Sequence, residues 1–81
     1  SEPKRSRERL YFGAPRRIWR GRVLGCIASS TNGITRGAIT KRLSAAYDVN
    51  AKELPGFLSE VTGLLEREGF IRTERGALHL R

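Results

Sequence analysis

The chain has 81 residues and a mass of 9.1 kDa, enough for one domain with a single modest core. Its 16 basic and 8 acidic residues give a net charge of +8, and one cysteine with one histidine cannot form an internal disulfide or a zinc-finger ligand set. No apolar run is long enough for a bilayer span or a secretion segment. We therefore expect a soluble chain, and its single cysteine fits a reducing, intracellular setting, in the cytoplasm or with the nucleoid or nucleus. Since the sequence contains no methionine, we expect it to be an excised fragment of a longer protein.

The positive charge is concentrated at the start of the chain. Residues 1–22 hold eight basic and two acidic residues, a net charge of +6, whereas residues 23–81 have a net charge of +2. Arginine outnumbers lysine 13 to 3, which favours forked contacts with phosphate or guanine. Such a block attracts polyanions by releasing counterions from phosphate. A solvated tail, or the arginine usage of a high-GC genome, would give the same composition.

Residues 1–9 are predicted to be a flexible basic arm or linker, because they lack apolar periodicity and contain Pro3. The domain is expected over residues 10–81. After a break at residues 13–15, helix one is predicted from Arg16 to about Ser29. Its apolar residues fall at helical spacing on one face: Trp19, Val23, Leu24 and Ile27.

A turn at residues 31–33 separates helix one from helix two, with Ile34 as a short extended residue. Thr35 is expected to be the N-cap of helix two, which runs to about Tyr47. Its predicted buried residues are Ile39, Leu43 and either Ala46 or Tyr47.

Helix three is predicted to begin at Asn50 as N-cap, with Glu53 at the third position in an approximate capping box. Pro55 is placed near its first turn, and Gly69 ends it in the left-handed conformation. The apolar stripe of this helix comprises Leu54, Leu58, Val61 and Leu65.

Residues 70–73 and 77–80 read as two strands joined by a turn at residues 74–76. Three helices followed by a two-stranded wing define a winged helix-turn-helix, a mainly α fold with a small β-hairpin. A three-helix bundle with a disordered tail is the alternative. It is disfavoured because Ile71, Leu78 and Leu80 need an apolar partner.

The third helix of a winged-helix domain usually enters the major groove of DNA. Residues 50–68 carry two basic and four acidic residues, so phosphates would repel this helix. The candidate DNA-binding residues therefore lie elsewhere. On helix one they are expected on the face opposite Trp19 and comprise Arg16, Arg17, Arg20 and, as a further candidate, Arg22. The others are Arg36, Lys41 and Arg42 on helix two, and Arg72 and Arg75 at the wing. A solvated face or an acidic surface of a parent enzyme would account for the same arginines.

Catalytic and cofactor motifs are lacking. His79 has no carboxylate at fixed spacing and is expected to be a strand-edge residue, whereas Cys26 is expected to be buried filler. We predict no catalytic residue, cofactor, metal site or small-molecule substrate. Gly21, which weakens helix one by about 1 kcal/mol relative to alanine, is expected to mark a close approach to another backbone, with a ligand entry point as the alternative.

The segment from Phe12 to Leu24, F-G-A-P-R-R-I-W-R-G-R-V-L, resembles one that follows the catalytic region of A/G-specific adenine glycosylases. The match covers Phe12, Gly13, Arg16 or Arg17, and residues 20–24, with Ala14 and Pro15 departing from the usual small polar residue. The spacing of leucine, glycine and apolar residues over residues 64–71 also fits the glycosylase segment, but this spacing is common to winged-helix domains. The resemblance implies a winged-helix-like C-terminal domain of a DNA repair enzyme whose catalytic part lies elsewhere.

The sequence thus favours an accessory DNA-binding domain that contacts the phosphate backbone through the arm and helix one, with wing contacts from Arg72 and Arg75. Its expected partners are DNA and other domains of a parent protein, and no membrane. One alternative is a protein-interaction module of a nucleic-acid-processing complex. The other is a sequence-specific transcription or replication regulator, which would use helix three as a dimer.

Overall fold

The structure, a computed structural model, describes residues 9–81, so the predicted arm lies outside the described residues except for Arg9. Three helices and two small antiparallel sheets make up this part of the chain. In chain order the elements are β1 (Leu10–Tyr11), β2 (Ala14–Pro15), α1 (Arg16–Ala28), β3 (Ile34–Thr35), α2 (Arg36–Tyr47), α3 (Leu54–Arg67), β4 (Ile71–Glu74) and β5 (Ala77–Leu80). Among residues 9–81, none of the helices has the length and apolar character that crossing a membrane requires.

The predicted C-terminal hairpin is present as β4 and β5, with Ile71 opposite Leu80. Its two-residue turn has positive φ at Arg75 and Gly76, as a type I′ turn requires. The short strand β3 pairs with β5, so the sheet has the order β3-β5-β4. Phe70, predicted as the first residue of this hairpin, lies outside the strand.

The three helices and the sheet share one core. Trp19 is fully buried, and its indole Nε1 donates a 2.5 Å hydrogen bond to the carbonyl oxygen of Tyr11, which fastens the β1–β2 hairpin to α1. As predicted, Cys26 is buried, whereas Leu24 is only partly buried against the core. The buried apolar residues are Ala14, Trp19, Val23, Cys26, Ile27, Ile34, Ile39, Leu43, Leu54, Leu58, Val61, Leu65, Ile71 and Leu78.

Helix α2 has the predicted bounds and N-cap, since the Thr35 hydroxyl accepts a 3.2 Å hydrogen bond from the Ala38 amide. The prediction that Ala46 or Tyr47 is buried is wrong, because both are exposed. The chain leaves the helix through Asp48 in the left-handed conformation, and Val49 packs against the core instead.

The predicted start of helix three is also wrong. The helix begins at Leu54 with Pro55 in its first turn, and Asn50 lies in a preceding turn, where its side chain accepts a 2.8 Å hydrogen bond from the Lys52 amide. A helix capped at Asn50 would put Pro55 beyond the first turn, where its ring and missing N–H disrupt the helix. The predicted end is confirmed: Gly69 has φ +85°, and amides 69 and 70 donate to the carbonyls of Glu66 and Leu65.

Gly21 does not mark a close approach. It is exposed, and a Cβ built on it would have no neighbour within 4 Å. Sequence analysis also missed the β1–β2 hairpin, whose turn holds Phe12 at φ 53° beside Gly13 at φ 88°. The Phe12 ring lies edge-on to Trp19 and to Phe57, with centroids 6.1 and 5.5 Å apart.

Candidate functional site

Helix α1 divides its arginines between two flanks. Arg16 and Arg20 lie on the side that faces α3, which we call the α3 flank. Arg22 lies on the opposite side, facing α2, which we call the α2 flank. The prediction that all of these side chains occupy the outward face is wrong, because Arg16, Arg20 and Arg22 are partly buried and only Arg17 is exposed.

The charges of the α3 flank are compensated by carboxylates. Arg16 Nη2 lies 3.4 Å from Glu60 Oε1, and its guanidinium also stands 5.1 Å from the ring centroid of Tyr11. Arg20 Nη2 lies 2.5 Å from Glu68 Oε1. The Nε atoms of both arginines are buried within the protein. Arg16 and Arg20 thus contribute to the packing of helix α1 against α3.

The α2 flank borders an open groove of about 340 Å³ between α1 and α2, which we call the α1–α2 groove. Arg22 is held by two aromatic rings, with its guanidinium carbon 3.7 Å from the Tyr47 centroid and 4.6 Å from that of Trp19. Arg42, across the groove, donates a 3.2 Å hydrogen bond from Nη1 to the Ser29 hydroxyl. The lining residues are Arg22, Gly25, Cys26, Ser29, Arg42, Leu43, Ala46 and Tyr47.

Electrostatics distinguish the groove from the α3 flank. Within residues 9–81, neither Arg22 nor Arg42 forms an ion pair with a carboxylate. Lys41, next to Arg42 on α2, is exposed. Burial raises the pKa of the Cys26 thiol, and the adjacent Arg42 partly offsets this effect. The groove is therefore a positive rim around a small apolar floor.

The remaining predicted binding residues are dispersed. Arg36 Nε donates a 3.2 Å hydrogen bond to Thr62 Oγ1 and so links α2 to α3. In the wing, Arg72 pairs with Glu74, and this hydrogen-bonded guanidinium holds the pKa of the Glu74 carboxyl below its usual value. Arg75 is exposed in the hairpin turn.

Potential metal ligands are dispersed in the described part of the chain, and His79 takes part in packing. No group of three or more potential metal ligands is found among residues 9–81. The His79 imidazole packs on Gly33, where an added Cβ would lie 2.5 Å from the ring. This contact gives His79 a packing role at the junction of the α1–β3 turn and the sheet.

Sequence analysis missed the lining contributed by Tyr47, Gly25 and Ser29. The helical spacing of α2 predicts Tyr47 in the core as an alternative to Ala46, and it therefore gives no indication of the contact between Tyr47 and Arg22. One signal in the sequence points to the groove: Trp19 and Arg22 are three residues apart, so their side chains are neighbours on one helix and can contact each other.

No protein-family model, curated protein or solved structure matches the chain.

Proposed function

We propose that this chain is a winged-helix accessory domain that binds DNA through the phosphate backbone and belongs to a larger DNA repair protein. The order of elements from α1 onward supports the fold assignment: a helix, the short strand β3, two helices and the β4–β5 hairpin, with β3 paired to β5. The likeness of residues 12–24 to the adenine glycosylase segment supports the repair context. The proposal places the chain inside the cell, wherever the DNA is.

The pair of arginines in the α1–α2 groove carries the proposal. Arg22 and Arg42 converge on one groove, and neither is neutralised by a carboxylate of residues 9–81. Arginine presents a fork of donors that matches phosphate oxygens. The two rings that hold Arg22 reduce the side-chain freedom lost on binding, so its guanidinium is prepared for an anion.

Helix α3 is poorly suited to reading the major groove. Glu60 and Glu66 lie on its exposed surface, and Glu68 follows at its end. Glu60 and Glu68 are paired with Arg16 and Arg20, but Glu66 has no ion pair among residues 9–81 and would repel phosphates on either side of a DNA groove. Backbone contact through the groove, with added attraction from Lys41, Arg75 and the arm, is the better fit to this charge distribution.

Fluorescence anisotropy with a labelled duplex at two salt concentrations tests the proposal, with an acidic polymer that is not a nucleic acid as the control. We expect micromolar binding that prefers DNA, weakens steeply with salt and depends little on base sequence. Arg42→Gln should weaken binding more than the charge-matched Arg20→Gln. No binding at low salt would contradict the proposal and favour a protein-interaction module, whereas a strong sequence preference would favour a regulator.

A further inference from the structure

We propose that the α1–α2 groove accepts an unpaired nucleotide of a single-stranded nucleic acid, with its phosphate on Arg22 and Arg42 and its base against Tyr47 and the groove floor. This inference rests on the proposed function, because it uses the same two arginines. It adds that the bound strand is open at this point.

The apolar floor of the groove would add nothing to the binding of a ligand that contacts the protein through its phosphates alone. It is formed by Cys26, Leu43, Ala46 and the backbone at Gly25, so it presents apolar surface between the two arginines. In a duplex the base faces are covered by stacking, and only backbone and groove edges meet a protein surface. An unpaired nucleotide instead brings an apolar base face attached directly to a phosphate, which matches an apolar floor inside a basic rim.

Tyr47 supplies an aromatic surface beside this floor. It keeps 44% of its surface exposed although it contacts Trp19 edge-on, with ring centroids 5.8 Å apart. The Arg22 guanidinium covers one face of the ring, and a base would stack on the exposed remainder. The contacts with Trp19 and Arg22 fix the ring in place, so little side-chain freedom remains to be lost when a base stacks there. Stacking on such a ring tolerates any base, as a site without sequence preference requires.

Gly25 allows the groove to be filled without changing its charge. A Cβ at Gly25 would have no neighbour within 4 Å, so a leucine there extends over the floor rather than into the core. Leucine is also a better helix former than glycine, which protects the fold. Gly21, one turn earlier on α1, is equally open and does not line the groove, so Gly21→Leu is the matched control.

The test measures the affinity of the 81-residue chain and both variants for an oligothymidylate strand and for a duplex with the same number of phosphates. We expect Gly25→Leu to lose about tenfold in affinity for the strand and to keep its affinity for the duplex, with Gly21→Leu unchanged on both. Equal affinity of Gly25→Leu and Gly21→Leu for the strand would overturn the inference. An equal loss on strand and duplex would overturn it too.

A second pair of variants separates stacking from simple filling. Tyr47→Phe should retain strand binding, because the ring remains, whereas Tyr47→Leu should lose about fivefold or more. If both bind like the unsubstituted chain, a base does not stack on this ring and the inference fails. The arginine variants distinguish this failure from failure of the proposed function. If the proposed function is wrong, Arg22→Gln and Arg42→Gln bind both the strand and the duplex with unchanged affinity.

Discussion

The two flanks of helix α1 both carry arginines within two helical turns, yet these arginines have different neighbours. On the α3 flank, Arg16 and Arg20 each meet a carboxylate, Glu60 or Glu68. On the α2 flank, Arg22 contacts the rings of Trp19 and Tyr47 and forms no ion pair among residues 9–81. The difference shows that net charge alone does not locate a binding surface. Glu60 on α3 and Glu68 at its end neutralise one side of α1, whereas the other side keeps a positive charge that no carboxylate of residues 9–81 pairs with.

The largest expected effect comes from removing both groove arginines. Arg22→Gln combined with Arg42→Gln should weaken duplex binding by about thirtyfold, because two charge-assisted contacts with phosphate are lost. Anisotropy titration at low salt measures this change. The control is Arg16→Gln combined with Arg20→Gln, which removes the same charge and should cost about threefold at most. If the control loses as much affinity as the groove variant, duplex binding does not depend on the α1–α2 groove more than on the α3 flank.

Removing the carboxylates that pair with the α3 flank should have a smaller effect on duplex affinity, and of opposite sign. In Glu60→Gln combined with Glu68→Gln, the guanidinium groups of Arg16 and Arg20 lose their carboxylate partners, and the chain becomes more positive. We expect duplex affinity to rise about threefold through longer-range attraction. Unchanged or lower affinity in the same titration would show that the carboxylates do not limit this flank.

The α3 flank should matter more for stability than for binding. Arg20→Ala removes an ion pair with Glu68 and the contact with Phe70, 5.8 Å from guanidinium carbon to ring centroid. Because the two side chains are 34% and 44% exposed, we expect a loss of at most about 1 kcal/mol in the free energy of unfolding. Urea denaturation followed by Trp19 fluorescence measures it. A loss several times larger would mean that this pair organises the α1–α3 contact.

The smallest effect is expected in the wing, where Arg72 resembles the α3 flank because it is paired. Arg72→Gln should raise the pKa of Glu74 toward its usual value, as followed by NMR titration of the carboxyl. Since the folded-state pKa is depressed, the stabilising contribution of Glu74 is present above its unfolded pKa and is lost as pH falls through the folded value. An unchanged titration would assign the depression to another group. Duplex affinity should change less than twofold.

Local patterns predicted much of the fold. The spacing of Trp19, Val23 and Ile27 fixed the buried face of α1, and the turn residues around Gly76 located the hairpin. The start of α3 was missed because Asn50 carries the chemistry of an N-cap but uses its side chain in a turn. Pro55 was the better guide, since its geometry belongs in the first turn of a helix.

The candidate site was less predictable than the fold. Arg16, Arg20 and Arg22 look equivalent in sequence, and only the packing of α3 and α2 on opposite sides of α1 separates them. Tyr47 sits at the end of α2 at a position that periodicity could assign to the core. Its exposure depends on the left-handed residue Asp48, which turns the chain so that Val49 packs in its place.

The salt dependence of duplex binding tests the central claim most directly. The logarithm of the binding constant is plotted against the logarithm of salt concentration for the unsubstituted chain, the Arg22/Arg42 variant and the Arg16/Arg20 variant. We predict that the slope falls by about 1.8 in the first variant, since each phosphate contact contributes about 0.9, and is unchanged in the second. Equal slopes for the two variants would contradict the assignment of the binding surface to the α1–α2 groove.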